Sequence, residues 1–292
     1  MKKLWMAVAC SLALNASAAI TVLDDDGRAV TLQKPALRVI ALAPHVTELL
    51  YAAGGADRII AAVDYSDYPE QAKRLPRVGS NREVDMERIA ALRPDLLVVW
   101  MHGSSERQIE QIRALGIPMF HSEPKRLAEI PSNLTRLGKL MGTEPVAEAA
   151  AAAMRTQLAA LASQYARRPT VRMFYQVWHK PLYTLNGSHI VSDAIRLCGG
   201  ENIYADMKVT APVVGIEAVL QDDPEVILGG ARSKEEDSVA MWRSFPAMTA
   251  VRRANLMQVD GNLLNRSGPR MIAGAAALCE KLELARQHRK TP

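Results

Sequence analysis

Two stretches of this chain carry one pattern. Met86-Glu87-Arg88-Ile89-Ala90-Ala91-Leu92-Arg93-Pro94-Asp95-Leu96-Leu97-Val98-Val99 is echoed by Ile216-Glu217-Ala218-Val219-Leu220-Gln221-Asp222-Asp223-Pro224-Glu225-Val226-Ile227-Leu228. Each reads apolar residue, Glu, a short helical stripe, Pro followed by an acid, then an apolar run of strand length. A second echo precedes each, Ala53-Gly54-Gly55-Ala56-Asp57-Arg58-Ile59 and Cys198-Gly199-Gly200-Glu201-Asn202-Ile203. A chain built on this duplication is constrained to two lobes of related design, each with one Glu at the same structural place. Two such lobes imply a cleft, and a matched pair of acids implies a partner that touches both.

A chain of 292 residues, 49% of them hydrophobic, is long enough for about two ordinary domains with cores of their own. Residues 1–18 stand apart. Lys2-Lys3 is a basic start, an apolar run follows to Leu14, and Ala16-Ser17-Ala18 is a small-residue cleavage site, so the segment reads as a signal peptide. Its apolar run is too short to span a bilayer, and the mature chain is expected to be soluble and exported. Cys10 follows small residues suited to lipidation, but the better cleavage site lies beyond it. Cys198 and Cys279 then remain. In an oxidising compartment an even pair is most simply a disulfide, with two buried free thiols as the alternative. The bridge would close a loop of about 80 residues and contribute roughly 4 kcal/mol. A net charge of +5, evenly mixed along the chain, argues against nucleic acid as a partner. The basic run Arg286-Gln287-His288-Arg289-Lys290 reads as a solvated tail. Nothing in the sequence calls for an oligomer, and a monomer is expected.

Periodicity and turn residues place the elements. Residues 20–32 read as a hairpin around Asp24-Asp25-Asp26-Gly27. Strands are expected at 38–42, 59–63, 96–100 and 118–121, alternating with helices that start at Pro44, Met86 and Glu106. Asp85 is placed to cap the second of these helices. Residues 126–166 hold no strand pattern, and the Ala-rich stretch 146–165 predicts one long helix of about 30 Å crossing between lobes. The alternation then repeats, with strands at 171–177, 226–228 and 256–259. Helices are expected at 190–197, 217–220, 242–245 and 269–284. Strands alternating with helices predict parallel-rich sheets in an α/β fold. The expected division is a lobe at 19–142, a stiff interlobe helix at 143–168 and a second lobe at 169–292.

Catalytic patterns are missing from the sequence. There is no G-x-S-x-G, no P-loop and no H-E-x-x-H. His45, His102, His121, His179, His189 and His288 are scattered without metal-ligand spacing. No catalytic residue, metal site or resident cofactor is expected.

Four motifs carry a resemblance. Tyr65-Ser66-Asp67-Tyr68-Pro69, the segment from Glu87 to Leu96, Cys198-Gly199-Gly200-Glu201-Asn202-Ile203 and Arg266-Ser267-Gly268-Pro269-Arg270 resemble the cobalamin-binding branch of the periplasmic substrate-binding proteins of ABC importers. That wider family also takes ferric siderophores and haem. The resemblance covers nearly all of 20–284. It implies two α/β lobes joined by a single rigid helix, a ligand held between them, and only a small opening motion. It further implies capture of cobalamin or another corrinoid, delivered to an inner-membrane importer, with haem or a ferric siderophore as the alternative cargo. Tyr65 matches a tyrosine that packs on the corrin. Asn262, Leu263, Leu264, Asn265 and Arg266 match a pocket loop whose polar ends suit corrin amides. Trp178, His179 and Tyr183 join them as residues of the loop after the first strand of the second lobe. Glu87 and Glu217 match the two glutamates that meet arginines on the permease dimer, and Cys198 and Cys279 match the family disulfide. The chain departs from the branch at Asn81, Ala211 and Leu263, where its members carry tryptophan. The pocket is therefore expected to have lost aromatic surface, which loosens the choice of ligand.

Overall fold

The computed structural model describes residues 19–80, 83–102, 104–231 and 236–289. The expected signal at 1–18 with Cys10, and Asn81, lie outside the described residues. Strands β1 (Ile20–Leu23) and β2 (Ala29–Leu32) form the expected hairpin. Asp24 Oδ1 closes its turn by accepting the Asp26 and Arg28 N–H groups at 2.9 and 2.8 Å.

β3 (Val39–Ala41), α1 (Pro44–Ala52), β4 (Ile59–Ala62), α2 (Met86–Leu92), β5 (Leu96–Val99), α3 (Glu106–Ala114) and β6 (Met119–His121) then build a four-stranded parallel sheet ordered β4-β3-β5-β6. Helices α4 (Glu129–Met141) and α5 (Glu144–Tyr165) leave it. The second half runs β7 (Val171–Gln176), the small hairpin β8 (Trp178–His179) and β9 (Leu182–Tyr183), α6 (Ile190–Leu197), β10 (Gly200–Asn202), α7 (Ile216–Asp222), β11 (Val226–Ala231), α8 (Thr249–Arg252), β12 (Leu256–Asp260), α9 (Gly261–Leu264) and α10 (Met271–His288). Its four-stranded parallel sheet is ordered β10-β7-β11-β12. Position by position, the second sheet repeats the first.

The repeat extends to single residues. Arg93 and Asp223 end α2 and α7 in the left-handed region, with φ of 46° and 39°. The Arg38 side chain donates to the carbonyls of Leu92 and Arg93, and Arg172 donates to that of Asp222. Each guanidinium satisfies carbonyls that a helix C-terminus leaves without partners. The Asp95 and Glu225 N–H groups donate to the carbonyls of Arg38 and Arg172, both at 2.9 Å.

In both sheets the central strands β3, β5 and β11 are buried on both faces, as strands of parallel sheets with helical crossovers are. Their alternating side chains define the layers. Val39, Ala41, Leu96 and Val98 share one continuous core with Val171, Met173, Tyr175, Val226 and Leu228 of the other lobe. Ile40, Leu97 and Val99 point into a core confined to the first lobe, and Phe174 and Ile227 into one confined to the second. Helix α5 spans 22 residues, about 33 Å at 1.5 Å per residue. It packs on α1 and α4 of the first lobe and on α6 and α10 of the second. A Cβ at Gly138 would collide with Ala147, so glycine there lets α4 and α5 approach closely.

Cys198 and Cys279 form a disulfide joining the end of α6 to α10. Residues 286–289 of the basic run are not the solvated tail that its composition suggests, and Lys290 lies outside the described residues. Helix α10 continues to His288, and Arg286 is only 6% exposed. Its guanidinium donates to the carbonyls of Pro169, Cys198 and Gly199 at 2.7, 2.7 and 3.1 Å. Arg289 donates to both oxygens of Glu225. That pairing outweighs the cost of burial and holds the Glu225 carboxyl below its ordinary range. Among the described residues, no helix is long and apolar enough to cross a membrane.

Candidate ligand-binding groove between the lobes

In open α/β sheets, ligands bind beyond the carboxyl ends of the strands, and here both sheets turn those ends toward one groove. Its larger hollow, about 840 Å³, has walls from both lobes. Pro44 follows β3 and Tyr65 follows β4. From the other lobe come Trp178 and Tyr183 of the small hairpin, Gly230 at the end of β11, and Asn262, Asn265 and Arg266 around α9.

Tyr65 is 78% exposed and sits at φ 62°, a conformation that costs energy for a bulky residue and persists only when its surroundings impose it. The neighbouring chain is tightly held. Thr47 Oγ1 donates to Ser66 Oγ at 3.0 Å, and Arg77 donates to the carbonyls of Val63 and Ser66 at 3.0 Å each. The backbone that carries Tyr65 is therefore fixed at the rim of the groove.

Arg266 is half-buried beside this hollow and already paired across the lobes. It lies 2.6 Å from Asp67 and 3.3 Å from Glu48. Glu48, 2% exposed, also accepts a bidentate pair from Arg270 at 2.9 and 2.7 Å. Burial pushes the Asp67 carboxyl up, but its bond to Arg266 and the positive charge there prevail and hold it below the ordinary range. The bond to Glu48 raises Arg270 in turn, keeping it charged. Asn265 accepts the Tyr175 hydroxyl at 2.5 Å.

A smaller adjoining hollow, about 200 Å³, is lined by Trp100, His102, Glu123, Lys125, His189 and Ser267, among others. Pro44 and Arg266 line the first hollow. The neighbouring His45 packs edge-on against Trp100, and Ser267 lines the second hollow. Trp100 and His102 follow β5, and Glu123 follows β6. They occupy the same kind of position as Tyr65, just past a strand end, which is the signal that could have drawn attention to them.

Of the expected pocket residues, Tyr65, Trp178, Tyr183, Asn262, Asn265 and Arg266 converge on the larger hollow. Three do not line it. Leu264 is fully buried in the core, Leu263 packs its backbone near Gly274, and His179 is exposed with its ring 5.1 Å from that of Trp178. The apolar pair is placed by α9, whose turn puts Leu264 beneath it. Glu87 and Glu217 are both exposed in the first turns of α2 and α7. Among the described residues, no group of three or more His, Cys, Asp or Glu side chains could hold a metal ion.

This fold, with a groove at paired strand ends, defines a class of two-lobed binding proteins. The sequence pattern of the periplasmic binding protein family matches residues 39–263, and the chain belongs to that family. It is 38% identical over 257 residues to a vitamin B12-binding protein of Vibrio cholerae, covering 87% of this chain and 91% of that protein. A vitamin B12-binding protein of Yersinia pestis is 38% identical over 246 residues, 84% of this chain and 86% of the relative. The crystal structure of the periplasmic vitamin B12-binding protein BtuF of Vibrio cholerae superposes with a TM-score of 0.81, covering 86% of this chain and 98% of that one.

Proposed function

We propose that this protein captures cobalamin or a related corrinoid between its lobes in the periplasm and delivers it to an inner-membrane ABC importer. The observation that carries the reading is the groove itself. Tyr65 on one side and Trp178 with Tyr183 on the other offer aromatic surface to a flat macrocycle, and Asn262 and Asn265 offer polar groups at its edge. The relatives named for vitamin B12 binding support the same cargo. The corrinoid is cargo rather than a resident cofactor, and the reading assigns no catalytic step. Glu48 and Asp67 pair with Arg266, so that cation is already committed within the protein.

The two sheets and α5 support a division into lobes at 19–142 and 169–292 with the helix at 143–168 between them. Glu87 and Glu217, at equivalent places on the two lobes, are read as the contacts to the two permease subunits. Such charges set orientation and encounter rate more than affinity. The mature protein is read as a monomer.

A thermal melt with cyanocobalamin tests the cargo. Ligand at about 100 times its dissociation constant adds about 2.7 kcal/mol of stability. Tyr65→Ala is expected to weaken the shift and leave the unliganded melt unchanged. No shift with any corrinoid, alongside a shift with haemin, would overturn the reading.

A further inference from the structure

Another hollow, about 660 Å³, opens between the lobes and shares no lining residue with either hollow described above. Glu48 lines it and Arg266 lines the larger hollow, so the ion pair between them stands between the two spaces. The first lobe supplies Tyr51 from α1, Asp57 from the turn before β4, and Tyr68 and Gln71 from the segment after β4. The second lobe supplies Pro269 and Arg270, which lead into α10.

The charges at this hollow leave one acid over. Arg266 and Arg270 are matched by Glu48 and Asp67 in the cluster that spans the lobes. Asp57 has no such match. Among the described residues, its carboxylate makes no hydrogen bond or ion pair, and it is exposed at the wall. The rest of the wall is mainly aromatic and apolar. The Arg270 guanidinium lies 4.1 Å from the centroid of the Tyr68 ring, so that ring already holds a cation on one face. Tyr68 is nevertheless 46% exposed, which leaves ring surface for a second. Tyr51, Ala52, Pro69 and Pro269 add contact surface that asks for few hydrogen bonds. A primary ammonium brings three donors that need acceptors. A methylated ammonium needs an aromatic face, apolar contact and one counter-charge, which is what this wall offers.

We propose that this hollow is a second binding site, separate from the cargo groove, for a small methylated ammonium solute. Asp57 supplies the counter-charge and Tyr68 the ring face, with Tyr51 and the two prolines around the methyl groups. The site stands whether or not the groove takes a corrinoid.

The test is calorimetric titration of the purified protein, at constant ionic strength, with choline and with dimethylbutanol, its uncharged carbon analogue. Wild type is expected to bind choline at a single site, with or without saturating cyanocobalamin, and to ignore dimethylbutanol. Asp57→Asn is expected to weaken choline about fivefold and to leave cyanocobalamin binding unchanged. Tyr68→Leu is expected to weaken choline about five- to thirtyfold, while Tyr68→Phe, which keeps the ring, binds it as wild type does. No heat with choline, equal binding of dimethylbutanol, or unchanged binding in Asp57→Asn would overturn the site. Choline binding lost in Tyr65→Ala but kept in Asp57→Asn would put the cation in the cargo groove and overturn it as well. Choline bound with no corrinoid bound would support the site and count only against the cargo reading. Flotation with phosphatidylcholine vesicles separates a free solute from a lipid headgroup. No flotation is expected, and flotation lost in Asp57→Asn would overturn the free solute as the ligand.

Discussion

Arg286 shows how much one side chain can hold together. Its guanidinium satisfies three carbonyls from the segment that leads into β7 and from the end of α6. Arg286→Ala leaves those acceptors without their donor in a buried place, at about 1–3 kcal/mol each before relaxation. A loss of about 3–5 kcal/mol in urea unfolding is expected, with Arg286→Lys recovering part of it, because lysine keeps the charge but not the planar fork. An unchanged midpoint in Arg286→Ala would show that water takes over these bonds. The sequence concealed this role. Two arginines and a lysine near a chain end look like a solvated face, and the partners of Arg286 lie 87 to 117 positions away.

His45 sets a pH dependence. Burial is the main cause that lowers its pKa from 6.5 to about 4. His121 and Arg266 add to the shift, while the Ser122 carbonyl and Asp25 oppose it. Between those two values the unfolded chain binds a proton that the folded chain refuses, so stability falls as pH drops from about 6.5 to about 4. His189, lowered to about 4 by burial and by His102, works in the same direction. Each contributes about 3 kcal/mol across the window. Urea midpoints at pH 7 and pH 4.5 are expected to differ less in His45→Gln than in wild type. Equal differences would mean that other groups carry the acid sensitivity.

At the scale of elements, the repeated pattern around α2 and α7 was the most legible part of the chain. Pro after the helix, an acid after Pro and an apolar strand left one reading open, and the left-handed turns at Arg93 and Asp223 follow it. The long Ala-rich helix was equally plain. The short elements were not. β10 is Gly200–Asn202, too small and polar to show a period. β8 and β9 have two residues each and exist because pairing across a turn, not propensity, stabilises them. Residues 261–264 passed as loop because a four-residue helix has no full repeat to detect. The groove inherits this unevenness. Tyr65 was visible by resemblance and Trp178 and Tyr183 by their place after the first strand of the second lobe, while Trp100, His102 and Glu123 become a group only when β5 and β6 lie side by side.

The equivalence of α2 and α7 also defines a transport experiment. Glu87→Ala combined with Glu217→Ala is expected to leave corrinoid binding and melting temperature unchanged and to lower uptake into vesicles carrying the importer. Because the two acids lie on separate lobes, each single change is expected to have a smaller effect. Normal uptake in the double variant would remove these acids from the interface.

At the scale of the molecule, the lobes are coupled twice. One core runs through both sheets along α5, and Glu48 pairs with Arg270 and Arg266 across the groove. Such coupling leaves little room for wide hinge motion. Glu48→Ala takes the bidentate partner from Arg270 and leaves Arg266 with Asp67 alone, and is expected to cost about 3–5 kcal/mol, read by chemical denaturation. Glu48→Leu with Arg270→Met is expected to recover much of the loss. Reduction of the Cys198–Cys279 bridge, whose partners are 81 residues apart, is expected to lower stability by up to about 4 kcal/mol. A melt unmoved by reductant would mean that α10 is held by packing alone.

Those fasteners share one address. Arg270 precedes α10, and Cys279 and Arg286 lie on it. During synthesis, that helix leaves the ribosome after every strand it covers. Until it arrives, the apolar side of the second sheet has no lid, no bridge can form and no arginine closes the lobe. The second lobe therefore locks only once α10 has been made and has docked.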